Sequence, residues 1–222
     1  SGSIIEQKSG MFLAVAVGVR YGKKVDTHLE RVSSPYMPDH GSLIKMLRLK
    51  IELLLLADVS DVTILDNSYW SVLRDTNQAL SGLNNNAYSQ ELESLLQEIA
   101  MNDDNLFHRF ICNDKIIAMS KSPVASSISE SLGYGSISDK RLMTIALRPD
   151  EYTAPMQILQ STGASRFGEH KSFSPVTFSA IEKVYKEDLL LTFYKPWPFK
   201  PAYRIEFHRS QASNIETILR RI

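Results

Sequence analysis

The sequence predicts a mixed α/β protein in which a mixed central sheet is flanked by helices and followed by a C-terminal β-hairpin and helix. Three observations predict it. Residues 11–20 (MFLAVAVGVR) are an apolar run of strand length, followed after Gly22-Lys23 by an alternating segment at 25–32. A helix-period stretch then leads directly into a second apolar strand at 61–66 (DVTILD). Residues 177–208 alternate at period two around the proline-rich run KPWPFKP, as the arms of a hairpin do.

The elements follow in order. Two strands open the domain. Pro35, Pro38 and Gly41 mark a loop, after which Ile44, Leu47, Ile51, Leu54 and Leu55 form one stripe at helical spacing. Arg48 and Glu52 lie one turn apart on the flank of that stripe. After the strand at 62–66, Tyr69, Trp70, Leu73 and Leu80 set a second helix, broken by Asn84-Asn-Asn86. A third helix covers 88–101, with Leu92, Leu95, Leu96 and Ile99 inward and Glu91, Glu93 and Glu98 solvated. A short helical piece leads to a strand at 115–121 and a helix at 125–132. A flexible link at 133–138 then runs into a helix that starts at Asp139, with Ser138 as its N-cap. Residues 160–175 are polar and rich in Gly and Ser, and residues 214–222 close the chain as a helix.

Composition bounds the class. With 222 residues, 43% hydrophobic and 23% charged, the chain can bury a full core as one domain over 1–222. Its longest uncharged apolar stretch, 53–57, is far short of a bilayer span, and no basic-then-apolar leader precedes it; a cytoplasmic protein without a membrane partner is expected. The single cysteine, Cys112, excludes an internal disulfide and a multi-cysteine zinc site, and its apolar neighbours predict a buried structural role. The formal charge of zero hides a polarity. From Gln160 onward ten Lys/Arg face six Asp/Glu, so this third is positive and the remainder negative, a distribution that either suits an acidic part holding metal and a basic part steering a polyanion or is ordinary fluctuation of surface charge.

Candidate chemistry centres on carboxylates. A helix bearing Glu52 and a following strand ending in Asp66 can hold a hard divalent cation beside a phosphodiester, because such cations take oxygen ligands. Asp139, at the start of its helix, is a third candidate ligand. Each has a plainer reading: a strand-end turn residue for Asp66, an ion pair with Arg48 for Glu52, and a charge favourable to its own helix dipole for Asp139. Lys121 could meet the scissile phosphate or be a solvated strand-end lysine. In the tail, alternation puts Tyr203, Ile205 and Phe207 on one face and Arg204, Glu206 and His208 on a polar one. His208 is either a proton donor to the leaving group or an exposed bystander. Trp197, Phe199 and Tyr203 either stack on unpaired bases or pack their proline-rich loop. No Gly-rich phosphate loop, Gly-x-Ser-x-Gly elbow or His-Glu-x-x-His pair is present, so any ATP hydrolysis would have to come from a partner.

The order hairpin, helix with Glu, strand with Asp is the one in which an RNase H-like fold builds its metal site. Leu65-Asp-Asn-Ser-Tyr69, the segment 116–122 (IIAMSKS) followed by Ser138-Asp139, and Tyr203-Arg-Ile-Glu-Phe207 together resemble the NurA nucleases, partners of the HerA translocase in DNA end processing. The resemblance spans nearly the whole chain. It implies a Mn²⁺- or Mg²⁺-dependent nuclease acting on single-stranded DNA and DNA ends, as a homodimer with a HerA-like hexameric ATPase, in end resection, repair or anti-phage defence. It implies Glu52, Asp66 and Asp139 as metal ligands, Lys121 and His208 as catalytic groups, and Lys140, Lys200 and Arg204 as DNA-binding cations. Two positions depart from the family's pattern. Asn67 stands where glycine is usual, and Asn tolerates a left-handed backbone. Ser1 stands where an aspartate is expected, through an upstream motif outside this sequence, a replacement, or a natural weakening; the last implies a catalytically degenerate subunit shaping the DNA path on the translocase.

Overall fold

The computed structural model describes residues 2–8, 11–20, 26–34, 40–57, 59–83, 90–120, 126–135, 137–158 and 173–221. They form two compact units, Ser1–Val59 with Trp70–Asn113 and His170–Ile181, and Ser60–Tyr69 with Asp114–Glu169 and Glu182–Ile222.

In the first unit, β1 (Gly2–Lys8), β2 (Met11–Arg20) and β3 (Asp26–Ser34) form an antiparallel sheet in that order. The ladders run from Lys8 with Met11 in the first pair and to Arg20 with Asp26 in the second. Three strands therefore open the chain, where two were expected. Residues 2–8 (GSIIEQK) offer two adjacent apolar side chains and no alternation, so β1 is specified by backbone pairing to β2 more than by its own pattern.

Helix α1 (His40–Ala57) lies against β2 and β3. Its burial exceeds one stripe: Met46, Leu47, Leu49, Ile51, Leu53, Leu56 and Ala57 are all buried, and Arg48 is exposed. Helices α2 (Tyr69–Leu83) and α3 (Gln90–Leu96) follow, and α3 runs into a π-helical turn over Gln97–Met101. Within that expected helix Leu95, Leu96 and Ile99 are buried as read from the sequence.

Asn105 caps α4 (Leu106–Cys112) by accepting the His108 N–H at 2.7 Å, while its amide donates to the Ala100 and Asn102 carbonyls and to Thr177 Oγ1. Asn113, just past the helix, donates to the carbonyls of Leu56, Ala57 and Val59 and so satisfies the end of α1. Phe107, Phe110 and Ile111 turn inward, and Cys112, the last residue of the helix, is exposed. The expectation of a buried cysteine is thus corrected: the apolar neighbours occupy the inner face and leave position 112 outside it.

The tail requires a second correction. Residues Pro175–Lys183 are a helix, α7, and a π-helical turn covers Val184–Asp188. Ser174 Oγ accepts the Thr177 N–H at 3.2 Å and Pro175 occupies the first helical position, a standard start signal. Thr177, Ile181, Val184 and Tyr185 are buried, a spacing of four, three and one that belongs to a helix and not to a strand. The Gly/Ser-rich loop expected at 160–175 lies outside the described residues up to 172.

In the second unit, β4 (Thr63–Leu65), β5 (Ile116–Ser120), β6 (Glu151–Tyr152), β7 (Met156–Gln157), β8 (Leu189–Lys195) and β9 (Tyr203–His208) form a mixed sheet. Its order is β4-β5-β9-β8-β6, with β7 also on β8; β4 and β5 are parallel and the other pairs antiparallel. One face packs Ile117, Leu190, Tyr194, Ile205 and Phe207 against Ile215, Ile218 and Leu219, the last three from α8 (Ile215–Leu219). The other face carries Leu191 and Phe193 with Met143 from α6 (Asp139–Ala146), joined by Ile128 from α5 (Ser127–Ser131). A mixed sheet flanked by helices, with a C-terminal hairpin and helix, is therefore the architecture of this unit. The strand expected to be buried at 61–66 is shorter, and Val62 and Ile64 are exposed, because β4 is an edge strand of the sheet.

Candidate functional site

The best-defined polar constellation surrounds Glu206 in the second unit. Register places Glu206 beside Ala118 of β5 and Leu191 of β8, and the small Ala118 side chain leaves room for a carboxylate over the sheet. Glu206 is 1% exposed. Its Oε2 accepts the backbone N–H of Tyr69 at 2.9 Å, and its Oε1 accepts from Arg204 Nε at 2.9 Å. Tyr69 is the first residue of α2, so a buried carboxylate sits on an N–H that has no partner within the helix.

Tyr69 is fixed three ways. Besides its N–H, its hydroxyl donates to the Ile116 carbonyl at 3.1 Å, and its ring meets that of His208 edge-on with centroids 5.9 Å apart. Burial, and then the Glu206 charge, push the Tyr69 phenol well above its ordinary pKa; the same two causes act in that order on Tyr185. Both phenols therefore remain protonated at neutral pH.

This corner holds the turn that carries Asp66. Asp66 is exposed just beyond the end of β4, Asn67 Oδ1 accepts the Ser68 N–H at 2.9 Å, and Ser68 is buried next to Tyr69. Among the described residues the non-glycine residue with positive φ is Asp150, so the turn at Asn67 needs no left-handed backbone and tolerates the absence of glycine.

Asp139 is 3% exposed, and its Oδ1 accepts two backbone N–H groups, from Ile128 at 2.9 Å and Ser129 at 2.8 Å. It thus caps the neighbouring α5, while Ser138 caps α6 by accepting the Arg141 N–H at 3.4 Å. Asp139 and Arg204 line one small cavity with Ser127, Ile128, Met156, Ile158 and Leu191.

The remaining candidates lie on other elements. Glu52 belongs to the first unit, half-buried on α1; burial first, and then the charge of Asp75, push its pKa up, with Arg48 opposing them. Lys140 is half-buried on α6 and Lys200 is exposed in the loop between β8 and β9. Lys121 lies outside the described residues, as does Ser1. His208 is 6% exposed, which corrects its reading as an exposed bystander. Among the described residues no group of three or more His, Cys, Asp or Glu side chains is placed to hold a metal ion.

Sequence reasoning missed Glu206 as a functional candidate. Period two assigns it correctly to the polar face of Arg204 and His208, but periodicity alone does not show that this face is covered. The signal was in the motif itself: an Arg and a Glu two apart on a strand share a face and can neutralise each other when that face is covered.

No family model matches the chain, and no curated protein matches it by sequence. Solved structures do. A NurA structure with bound dAMP and manganese aligns with a TM-score of 0.50 and 11% identity over 98% of this chain and 78% of that one. A second NurA structure aligns with the same TM-score, identity and coverage. The chain has a NurA-like fold. Among the described residues no helix is long and apolar enough to cross a membrane.

Proposed function

We propose that this chain is a divalent-metal-dependent deoxyribonuclease that hydrolyses phosphodiester bonds in single-stranded DNA and at DNA ends. The observation that carries the reading is the NurA-like fold over 98% of the chain, with Asp66 displayed at a strand end on a turn fixed from beneath by Glu206. In this reading Asp66 supplies a carboxylate oxygen at the reacting phosphate. Glu206 does not touch substrate; it positions the turn by holding the Tyr69 N–H.

The carboxylates themselves show how far the described residues fit a metal. Asp139 has one oxygen committed to two N–H groups, and Glu206 is committed through both oxygens, so these described groups do not by themselves make a cation site. Divalent-metal use is proposed from manganese in the similar NurA structure, with the exposed Asp66 as an oxygen donor. When bound, a divalent cation would neutralise charge developing on the phosphoryl oxygens.

In this reading the chain works alongside a HerA-like hexameric ATPase, as a homodimer, in end processing for repair or anti-phage defence, and the partner supplies the ATP hydrolysis for which this sequence carries no phosphate-binding loop. A second reading, a catalytically degenerate subunit on such a translocase, is favoured by one observation: Asp139, a ligand candidate, is engaged in capping α5. One assay separates the two. Purified protein is incubated with end-labelled single-stranded DNA in Mn²⁺, in Mg²⁺ and in EDTA. Cleavage that requires the cation supports the nuclease, and DNA left intact under every condition supports the degenerate subunit.

A further inference from the structure

We propose that the tip of the β8–β9 hairpin is a stacking platform for unpaired bases of single-stranded DNA. This rests on the reading of the chain as a DNA-acting protein and names the element that grips the strand. The tip comprises residues 196–202 (PWPFKPA). Phe199 is 98% exposed and Trp197 is 52% exposed, so the aromatics do not pack their own loop as proline-flanked aromatics commonly do.

The loop is built to hold them out. Lys195 Nζ donates to the carbonyls of Thr144 at 2.6 Å and Leu147 at 3.0 Å, tying one arm to the end of α6. The Ala202 N–H donates to Thr144 Oγ1 at 3.0 Å, tying the other arm to the same residue, and Ala202 itself is fully buried. Between these anchors, Pro196, Pro198 and Pro201 restrict the backbone, and the Lys200 N–H closes a turn on the Trp197 carbonyl at 3.3 Å. An aromatic surface fixed in advance loses little conformational freedom when a base settles on it.

Charge selects the occupant. From Lys195 to Arg204 the chain carries Lys195, Lys200 and Arg204 and no Asp or Glu. Lys195 and Arg204 are engaged internally, and Lys200 stands exposed next to Phe199, where its ammonium can meet a backbone phosphate. Aromatic faces for bases beside a cation for phosphate are the pair of contacts that sequence-tolerant single-strand binders use. A purely apolar protein partner would have no use for the lysine.

The test uses the full chain in EDTA, so that binding is read without cleavage, with oligothymidylate as the probe. We expect quenching of tryptophan fluorescence on titration, and its loss in Trp197→Phe, which assigns the signal to position 197 and not to Trp70. Phe199→Ala should weaken binding about tenfold with an unchanged melting temperature. Lys200→Gln should lower the salt dependence of binding by about one phosphate contact. Wild-type DNA binding or cleavage that persists at full strength in Phe199→Ala, without a Trp197 signal, overturns the platform and leaves the nuclease reading standing. Failure of the wild type to bind or cleave any DNA removes both. Unchanged DNA affinity with loss of self-association in Phe199→Ala, seen by sedimentation, makes the tip a protein contact and overturns the proposal.

Discussion

The two ends of the β8–β9 hairpin invert the usual partition in opposite ways. In β9, Glu206 and His208 are polar and buried, at 1% and 6% exposure, whereas at the hairpin tip Phe199 is aromatic and 98% exposed. Burying a carboxylate costs several kcal/mol unless it is paired and hydrogen-bonded, and Glu206 has both an ion pair and a helix N–H to offset that cost. Phe199 has no comparable internal compensation. The difference teaches where to look for ligands: the buried Glu206 carboxylate is satisfied within the chain and is a support, while the exposed tip is completed by something outside it.

The largest expected effect tests the support. Glu206→Ala leaves the Arg204 guanidinium and the Tyr69 N–H without their carboxylate and should destabilise the protein by about 3–5 kcal/mol in urea unfolding. Glu206→Gln retains an amide oxygen for the Tyr69 N–H and should lose less. A loss below about 1 kcal/mol in the alanine variant would mean that the corner is not what holds the turn.

Asp139→Ala should cost about 1–2 kcal/mol, because two N–H groups of α5 lose their acceptor. Asp139→Asn keeps an acceptor oxygen and should recover most of that stability. If the role were ligation and not capping, the two variants would be equally stable and equally inactive.

Glu52 offers a contrast in the first unit, since its carboxylate is half-buried and its pKa is raised, first by burial and second by Asp75. A raised folded pKa means that the native state holds the proton more tightly than the unfolded one. Stability is then greater below the ordinary glutamate value, falls as pH rises from there through the folded pKa, and stays reduced above it. Glu52→Gln should therefore stabilise the protein at pH 7, and the gain should disappear in acid. Equal melting shifts at both pH values would show that ionisation of Glu52 carries no such cost.

The smallest expected effect is at the tip. Phe199→Ala should change stability by no more than about 0.5 kcal/mol in the same urea experiment, because the ring is in solvent already. A larger loss would assign it a packing role and erase the contrast with Glu206.

Much of this arrangement was legible in the sequence. The strand at Met11–Arg20 coincides with its apolar run, the Ser138 cap and the Asp139 helix start follow from composition, and Leu47 and Ile51 are buried as their spacing requires. Elements were lost where two patterns competed. Residues from Pro175 to Tyr185 satisfy a helical stripe, but the alternation of the hairpin arms downstream was extended backward over them. The candidate site was less legible than the fold for a reason of the same kind. Periodicity assigns a side chain to a face, but whether that face is covered depends on partners distant in sequence. Glu206 and Tyr69 are 137 residues apart, and nothing local to either announces the other.

The most direct measurement is Mn²⁺-dependent cleavage of end-labelled single-stranded DNA by wild type and by Asp66→Ala, with unfolding followed on the same preparations. Asp66 is exposed at a strand end, so its removal should leave the unfolding free energy in urea within about 0.5 kcal/mol of wild type while abolishing cleavage. Cleavage at the wild-type rate by a folded Asp66→Ala protein would contradict the assignment.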